Sequence, residues 1–344
     1  MEPYWVDSFR DLPPIPEFKR WRDGHPNTLE QEIAQKVLTH QSISQNEEQV
    51  LISSIGFYKE IIPLFKAVDF NSFSPEDFKQ FRGYFNYVFN FIIHTRNTVS
   101  IKFGTRIVVN KSVLGGKQES LPNISFLKYP PKELIKQIGK YGRANTPDFN
   151  LFYCADGVDP ALLEVKPQPG DLITISYWKC KNPDQKIMCF PISHGKEARE
   201  INPEIQKGYD AFLGVKENPD NHRYIVDLTE SVLDFLGEEY SKPVEHHLGY
   251  YYSATFSENI FFEGDTYDAI IYPSNQNRFQ YENLAIRPGW VDKYMELVGI
   301  EEALVKETFY ERESISADRL AVTLIEPEYT RSPKGLWGDG RIEW

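Results

Sequence analysis

The chain has 344 residues, of which 41% are hydrophobic and 14% aromatic, a composition typical of a folded globular protein. Its formal net charge of −12 argues against a nucleic-acid-binding protein, because such proteins normally carry a basic surface. The three cysteines, Cys154, Cys180 and Cys189, form no C-x-x-C motif and fit neither a disulfide scaffold nor a zinc site.

The N-terminal residues do not show the basic and then apolar pattern of a secretory signal. The most apolar run, YFNYVFNFII, is interrupted by asparagines and is too short for a membrane helix. We therefore expect a cytoplasmic protein that binds neither nucleic acid nor a membrane.

The first part of the chain predicts helices. Residues 1–26 hold five prolines and predict an irregular arm. A helix is expected from the sequence NTLEQEIAQKVLTH, in which Thr28 and Gln31 have the spacing of a capping box. A second helix is expected in the stretch 46–68.

A third helix is predicted to begin with Ser74 as its cap and Pro75 at its first position. Apolar side chains recur in it at steps of three and four residues, and these are Phe78, Phe81, Phe85, Val88 and Ile92. This spacing predicts one apolar face that packs in a core.

Beyond residue 96 the pattern changes to strands with helices between them. The stretch 98–109 alternates like a strand, and further strands are predicted at 151–155, 171–179, 186–190, 267–273 and 318–327. Helical patterns lie at 203–215, 227–237 and 246–262. The sequence therefore predicts an α+β fold that follows a helical region.

Familiar catalytic motifs are absent from the sequence: it has no nucleophile elbow, no phosphate-binding glycine loop and no H-E-x-x-H. The E-H-H sequence at 245–247 predicts the start of a helix, where adjacent histidines point in different directions. We therefore expect no metal site there.

The stretch LFYCADGVDPALLEV places one carboxylate, Glu164, between Leu163 and Val165. A carboxylate is almost never buried without a partner, so Glu164 needs either a solvent-facing position or a function. The short helix that carries it is predicted to be capped by Asp159, with Pro160 at its first position.

Other polar residues lie in segments that read as half-buried. Arg143 and Asn145 lie in a loop, Tyr153 lies in the strand that follows it, and Ser274 and Asn283 lie near the strand predicted at 267–273. Each also has a purely structural interpretation, as a surface cation, a core aromatic or a turn residue.

The order GRANTP, LFYCADG, ALLEV, YDAIIYPS and NLAI resembles the RES domain family, which is named for an arginine, a glutamate and a serine. The resemblance covers roughly residues 97–330 and is strongest in 141–180 and 267–288. It implies an ADP-ribosyltransferase-like fold of split mixed β-sheets with flanking helices. The helical region 1–96 would precede this domain, and residues 331–344 would follow it as a C-terminal tail.

The resemblance also implies a function. Members of the family are commonly toxins of bacterial toxin–antitoxin pairs that act on NAD⁺, releasing nicotinamide by phosphorolysis or hydrolysis or, in some members, ADP-ribosylating a protein. We therefore expect an NAD⁺-consuming toxin or defence effector, with inorganic phosphate as an optional co-substrate, no metal and an antitoxin or regulatory protein as partner. The alternatives are a protein ADP-ribosyltransferase and an inactive NAD-fold binding protein. The sequence leaves open whether the protein forms a homo-oligomer.

The site residues implied by the resemblance can be placed position by position. The expected catalytic residues are Arg143, Tyr153, Glu164 and Ser274. The expected NAD⁺-binding residues are Arg106, Asn145 and Asn283. The family often has an arginine pair in its first strand, but here Gly104 stands where the first arginine would lie, so the phosphate contacts of that strand stay open.

These residue types suit cleavage of the nicotinamide–ribose bond. A carboxylate such as Glu164 can stabilise the positive charge that develops on the ribose. The guanidinium of Arg143 has the planar fork that suits a phosphate, and the ring of Tyr153 can stack on nicotinamide. The sequence leaves open whether water, phosphate or a protein side chain is the acceptor.

Overall fold

The computed structural model describes residues 29–89, 92–101, 103–110, 113–114, 117–262, 266–274, 278–310 and 323–344. The helices in these ranges are α1 (Leu29–Leu38), α2 (Gln45–Phe65), α3 (Pro75–Phe89), α4 (Lys132–Ile138), α5 (Val158–Val165), α6 (Lys196–Ile201), α7 (Pro203–Glu217), α8 (Arg223–Ser241), α9 (Tyr251–Phe262) and α10 (Pro288–Tyr294). The strands are β1 (Asn97–Ser100), β2 (Gly104–Val109), β3 (Val113–Leu114), β4 (Lys117–Gln118), β5 (Phe152–Ala155), β6 (Leu172–Cys180), β7 (Lys186–Pro191), β8 (Ala269–Pro273), β9 (Glu282–Ile286), β10 (Met295–Tyr310), β11 (Thr323–Arg331), β12 (Gly335–Leu336) and β13 (Ile342–Glu343).

Helices α2 and α3 begin at residues that favour a helix N-terminus. Helix α2 has a capping box, in which the Ser44 backbone N–H donates to Glu47 Oε2 (2.7 Å) and the Glu47 N–H donates to Ser44 Oγ (3.3 Å). Helix α3 begins at Pro75, as the sequence predicts. The predicted arm and the capping box that depends on Thr28 fall outside the described residues.

Nine strands form one sheet in the order β1-β7-β8-β9-β5-β2-β6-β10-β11. Strands β7 and β8 run parallel, because helices α6 to α9 carry the chain back between them. The other neighbouring pairs are antiparallel. The predicted mixed α+β class, with a large sheet and flanking helices, is therefore confirmed.

The sheet is weakly joined between β5 and β2. Only Thr105 and Ala155 are paired across this boundary in the described chain, whereas β2 pairs with β6 from Gly104 to Val109. We call this boundary the seam. The sequence analysis predicts split sheets, but the nine strands form one hydrogen-bonded sheet that is nearly divided at the seam.

The stretch 98–109, predicted as one strand, forms two. Strand β1 pairs with β7 at an edge of the sheet, while β2 lies between β5 and β6 in its middle. Alternating polarity reports that a segment is half-buried, but it contains no information about the strands on either side. The single-strand prediction was therefore wrong.

One apolar core joins the N-terminal helices to the rest of the protein. The ring centroid of Phe65 on α2 lies 5.7 Å from that of Phe81 on α3, 6.1 Å from Phe235 on α8 and 5.6 Å from Tyr252 on α9. The same cluster continues to the sheet at Ile270 of β8. The change of pattern near residue 97 coincides with the first strand, but among the described residues one cluster of buried side chains includes both the helices and the sheet.

The last residues pack against the domain. Strands β12 and β13 form a small hairpin, and the Trp344 indole N–H donates to the Leu121 carbonyl (2.9 Å). The Arg331 guanidinium lies 5.3 Å from the centre of the Trp344 ring.

In the described parts of the chain, no helix combines the length and apolar character needed to cross a bilayer.

Candidate active site

A cavity of about 310 Å³ lies at the seam of the sheet. Strand β2 forms one wall, strands β5, β8 and β9 form another, and helix α5, the loop 142–145 and Tyr250 complete it. The cavity exists because β2 and β5 separate after their single paired position. Six of the seven predicted site residues line it, and these are Arg106, Arg143, Asn145, Tyr153, Glu164 and Asn283.

The seventh predicted residue, Ser274, does not line the cavity but forms a hydrogen bond with the Glu164 carboxylate. The Ser274 hydroxyl and the Asn283 amide (2.8 Å) both donate to Glu164 Oε1, and these two donors are only 1% and 5% exposed. Oε2 makes no hydrogen bond with any described residue. Because Glu164 lines the cavity, the carboxylate is fixed through one oxygen and can offer the other to a ligand.

The local chain geometry explains this arrangement. Ser274 directly follows β8, and Asn283 lies on β9, so that the antiparallel pairing of these two strands brings the donors together. Helix α5 begins at Val158, after Gly157 with φ 123°, a conformation that favours glycine. The predicted cap at Asp159 was therefore wrong, since Asp159 lies in the first turn of α5.

The hydroxyl of Tyr153 is bound to the loop that precedes its strand. It accepts the Ala144 backbone N–H (3.0 Å) and donates to Asn145 Oδ1 (2.8 Å). Burial raises the pKa of Tyr153, so the hydroxyl stays protonated at neutral pH. A Cβ at Gly142 would lie 2.3 Å from Asn145 Oδ1, so any larger residue there would displace the Asn145 side chain from the Tyr153 hydroxyl. Tyr153 has its ring, rather than its hydroxyl, available to a ligand.

Arg143 holds the end of a helix as well as lining the cavity. Its Nη1 donates to the carbonyls of Tyr240 (2.6 Å) and Lys242 (3.3 Å), at the C-terminus of α8, where a cation is favourable. Its guanidinium carbon lies 4.9 Å from the centre of the Tyr250 ring. Part of the guanidinium fork is thus already occupied before any ligand binds.

Arg106 makes fewer hydrogen bonds to the protein than Arg143 does. Its Nη1 donates to the Tyr153 carbonyl (3.3 Å), while its Nε is shut off from solvent and has no hydrogen-bond partner. Burial lowers the pKa of Arg106 to about 10, so it remains a cation at neutral pH. It forms no ion pair with a carboxylate of the described chain. A half-buried cation that lines a cavity and has no carboxylate partner in the described chain suits an anionic ligand.

Gly104 has little room for a side chain. A Cβ there would lie 3.0 Å from Cys154 Sγ and 3.2 Å from Cys154 Cβ. Burial raises the pKa of the Cys154 thiol to about 12, so this thiol is a packing group rather than a nucleophile.

The sequence analysis missed two tyrosines that line the cavity, Tyr250 and Tyr272. Tyr272 lies on β8, two positions before Ser274, which directly follows that strand; this spacing of two could have identified Tyr272 as sharing a face with Ser274. Tyr250 has no comparable local signal, because only the fold brings it to Arg143. Within the described ranges, no group of three histidine, cysteine or carboxylate side chains has the geometry to hold a metal ion.

Comparison with models of protein families, with curated proteins and with solved structures found no match.

Proposed function

We propose that this chain is an NAD⁺-consuming enzyme of the RES type, with an ADP-ribosyltransferase-like catalytic domain, and that it cleaves the bond between nicotinamide and ribose. The observation that carries the proposal is the Glu164 carboxylate, whose Oε1 is held by Ser274 and Asn283 while Oε2 is open to the cavity. The order of sequence motifs supports the same assignment.

The reaction would proceed at the anomeric carbon of the ribose. The bond from this carbon to the nicotinamide nitrogen breaks, and both electrons pass to the nitrogen, so that the pyridinium becomes neutral nicotinamide. The positive charge left on the ribose is stabilised by Glu164 Oε2. The oxygen of water or phosphate then bonds to the carbon, and water loses a proton to solvent in doing so.

The remaining polar groups would hold the substrate. Arg106 is a cation without a carboxylate partner on the cavity wall, which supports contact with a phosphate group. The aromatic rings of Tyr153 and Tyr250 supply flat apolar surface for a ring system. A cavity of about 310 Å³ is at the small end for a ligand site, and would hold the ribose and nicotinamide end of the dinucleotide.

The direct test is to incubate the purified protein with NAD⁺ and to measure free nicotinamide by chromatography, with and without inorganic phosphate. We expect nicotinamide release, accelerated by phosphate, with a phosphorylated ADP-ribose as the second product. A rate independent of phosphate, with free ADP-ribose as product, would instead assign hydrolysis. Binding of NAD⁺ without release of nicotinamide would favour the inactive binding protein.

We further propose that NAD⁺ depletion makes the protein a toxin or defence effector in the cytoplasm, where NAD⁺ is available. The support for this role is the family resemblance. Induced expression of the wild type should lower cellular NAD⁺ and arrest growth, and the Glu164→Gln variant should do neither. Equal growth arrest by both proteins would reject NAD⁺ cleavage as the cause.

A further inference from the structure

Tyr272 lies beside the Glu164 carboxylate on the wall of the cavity. It is paired with Asn283 across β8 and β9, and paired positions of neighbouring strands direct their side chains to the same face of the sheet. Asn283 binds Glu164 (2.8 Å), and the Tyr272 side chain therefore leaves the sheet next to the carboxylate. Its ring lies 5.3 Å from that of Tyr240, whose carbonyl holds Arg143.

The Tyr272 hydroxyl has no hydrogen-bond partner among the described residues. The side chain is only 3% exposed, yet its hydroxyl makes no hydrogen bond with any residue that the structure describes. Two nearby tyrosines differ in this respect: the buried Tyr240 donates to the Ser253 carbonyl (3.0 Å), and the half-buried Tyr153 donates to Asn145 Oδ1 (2.8 Å). Because Tyr272 lines the cavity, a bound ligand can supply the hydrogen-bond partner that its hydroxyl lacks.

The hydroxyl is available as a hydrogen-bond donor. Burial, with the charge of Glu164 nearby, raises the pKa of Tyr272, and the group is therefore neutral and protonated at physiological pH. An uncharged donor on an aromatic wall suits an uncharged acceptor atom on a flat ring.

We propose that Tyr272 determines specificity for the leaving group, by donating its hydroxyl hydrogen to the carboxamide oxygen of nicotinamide. The assignment rests on the proposed function. A ribose bound to Glu164 Oε2 places its anomeric substituent along this wall, next to Tyr272. The hydrogen bond draws electron density from the pyridine ring, and this favours departure of the ring with the bonding electron pair.

The test compares Tyr272→Phe with the wild type on two substrates. One is NAD⁺, and the other is its thionicotinamide analogue, in which sulfur, a weak acceptor, replaces the carboxamide oxygen. For NAD⁺ we expect kcat/KM to fall about 10- to 100-fold in Tyr272→Phe, as for loss of one buried hydrogen bond. For the analogue we expect a much smaller change, because the wild type makes no strong bond to sulfur.

Tyr267→Phe is the matched control. Tyr267 is also buried, but its hydroxyl donates to the Thr95 carbonyl (3.0 Å) and the residue does not line the cavity. Its removal should lower the melting temperature and leave the ratio of kcat/KM for the two substrates unchanged.

The affinity for NAD⁺ gives a readout that does not depend on turnover. In the Glu164→Gln background, calorimetric titration with NAD⁺ should show weaker binding when Tyr272→Phe is added. If the wild type cleaves NAD⁺ and Tyr272→Phe loses nothing, or loses equally on both substrates, the leaving-group assignment is overturned and the proposed function stands. If the wild type neither binds nor cleaves NAD⁺, both are overturned.

Discussion

The Glu164 carboxylate allows catalysis and stability to be separated by two substitutions at one position. Glu164→Gln keeps an oxygen that can accept both the Ser274 hydroxyl and the Asn283 amide, and places its NH₂ group where Oε2 now faces the cavity. Glu164→Ala removes the acceptor and leaves both buried donors unpaired. The two variants therefore lose the same charge but differ in the hydrogen bonds that remain.

The expected magnitudes follow from these contacts. An unpaired buried donor costs about 1–3 kcal/mol, so Glu164→Ala should lower the free energy of unfolding by about 2 kcal/mol or more. Glu164→Gln should change it by less than about 1 kcal/mol. Loss of one electrostatic contribution to the transition state reduces rates by about 10²- to 10⁴-fold, and both variants should show this reduction in nicotinamide release.

The assays are urea unfolding followed by tryptophan fluorescence, and nicotinamide release from NAD⁺ by chromatography. A stable Glu164→Gln protein with turnover near that of the wild type would refute the catalytic role of this carboxylate. If Glu164→Gln were destabilised as much as Glu164→Ala, the hydrogen-bonded geometry described above would be wrong.

Three further predictions concern stability. Gly104→Ala should destabilise the protein by about 1–3 kcal/mol in urea unfolding, since its Cβ would lie 3.0 Å from Cys154 Sγ; the control Gly214→Ala, on helix α7 with open space around it, should be neutral or stabilising. Burial lowers the pKa of His194 to about 3 in the folded protein, whereas it is about 6.5 in the unfolded chain. Between these two values the unfolded chain binds a proton that the folded protein does not. The free energy of unfolding should therefore be highest above pH 6.5 and should fall by about 2–3 kcal/mol by pH 4.5. His194→Phe should flatten that pH dependence, and an unchanged slope would contradict the assignment. A fragment of residues 97–344 should be insoluble on expression, because it lacks the helices that complete the core, whereas a soluble fragment with a cooperative melt would show the helical region to be a separate module.

Local signals in the sequence were sufficient for much of the secondary structure. Proline at the first helical position and the apolar repeat predicted α3, whose Phe81 and Phe85 are fully buried. Short alternating or apolar runs predicted β5, β6 and β7 to within a residue or two of their bounds. These features depend on neighbours along the chain, which the sequence displays directly.

Strand β10 is an element that local sequence signals did not predict. Its sequence, MELVGIEEALVKETFY, is rich in charged residues and was not predicted as a strand. It is a strand because β6 and β11 pair with it on its two sides, and such pairing depends on residues far away in the chain.

The candidate site divides in the same way. The sequence alone indicated that Glu164 required a partner or a function, since a lone carboxylate is unfavourable among apolar neighbours. It could not show that Ser274 and Asn283 both donate to one oxygen of that carboxylate, or that Arg143 binds carbonyls at the end of α8. Nor could it show that the Tyr272 hydroxyl lacks a hydrogen-bond partner in the described part of the chain. Each of these depends on distances between segments remote in sequence, and only the packing of helices onto the sheet and the opening of the sheet at the seam determine those distances.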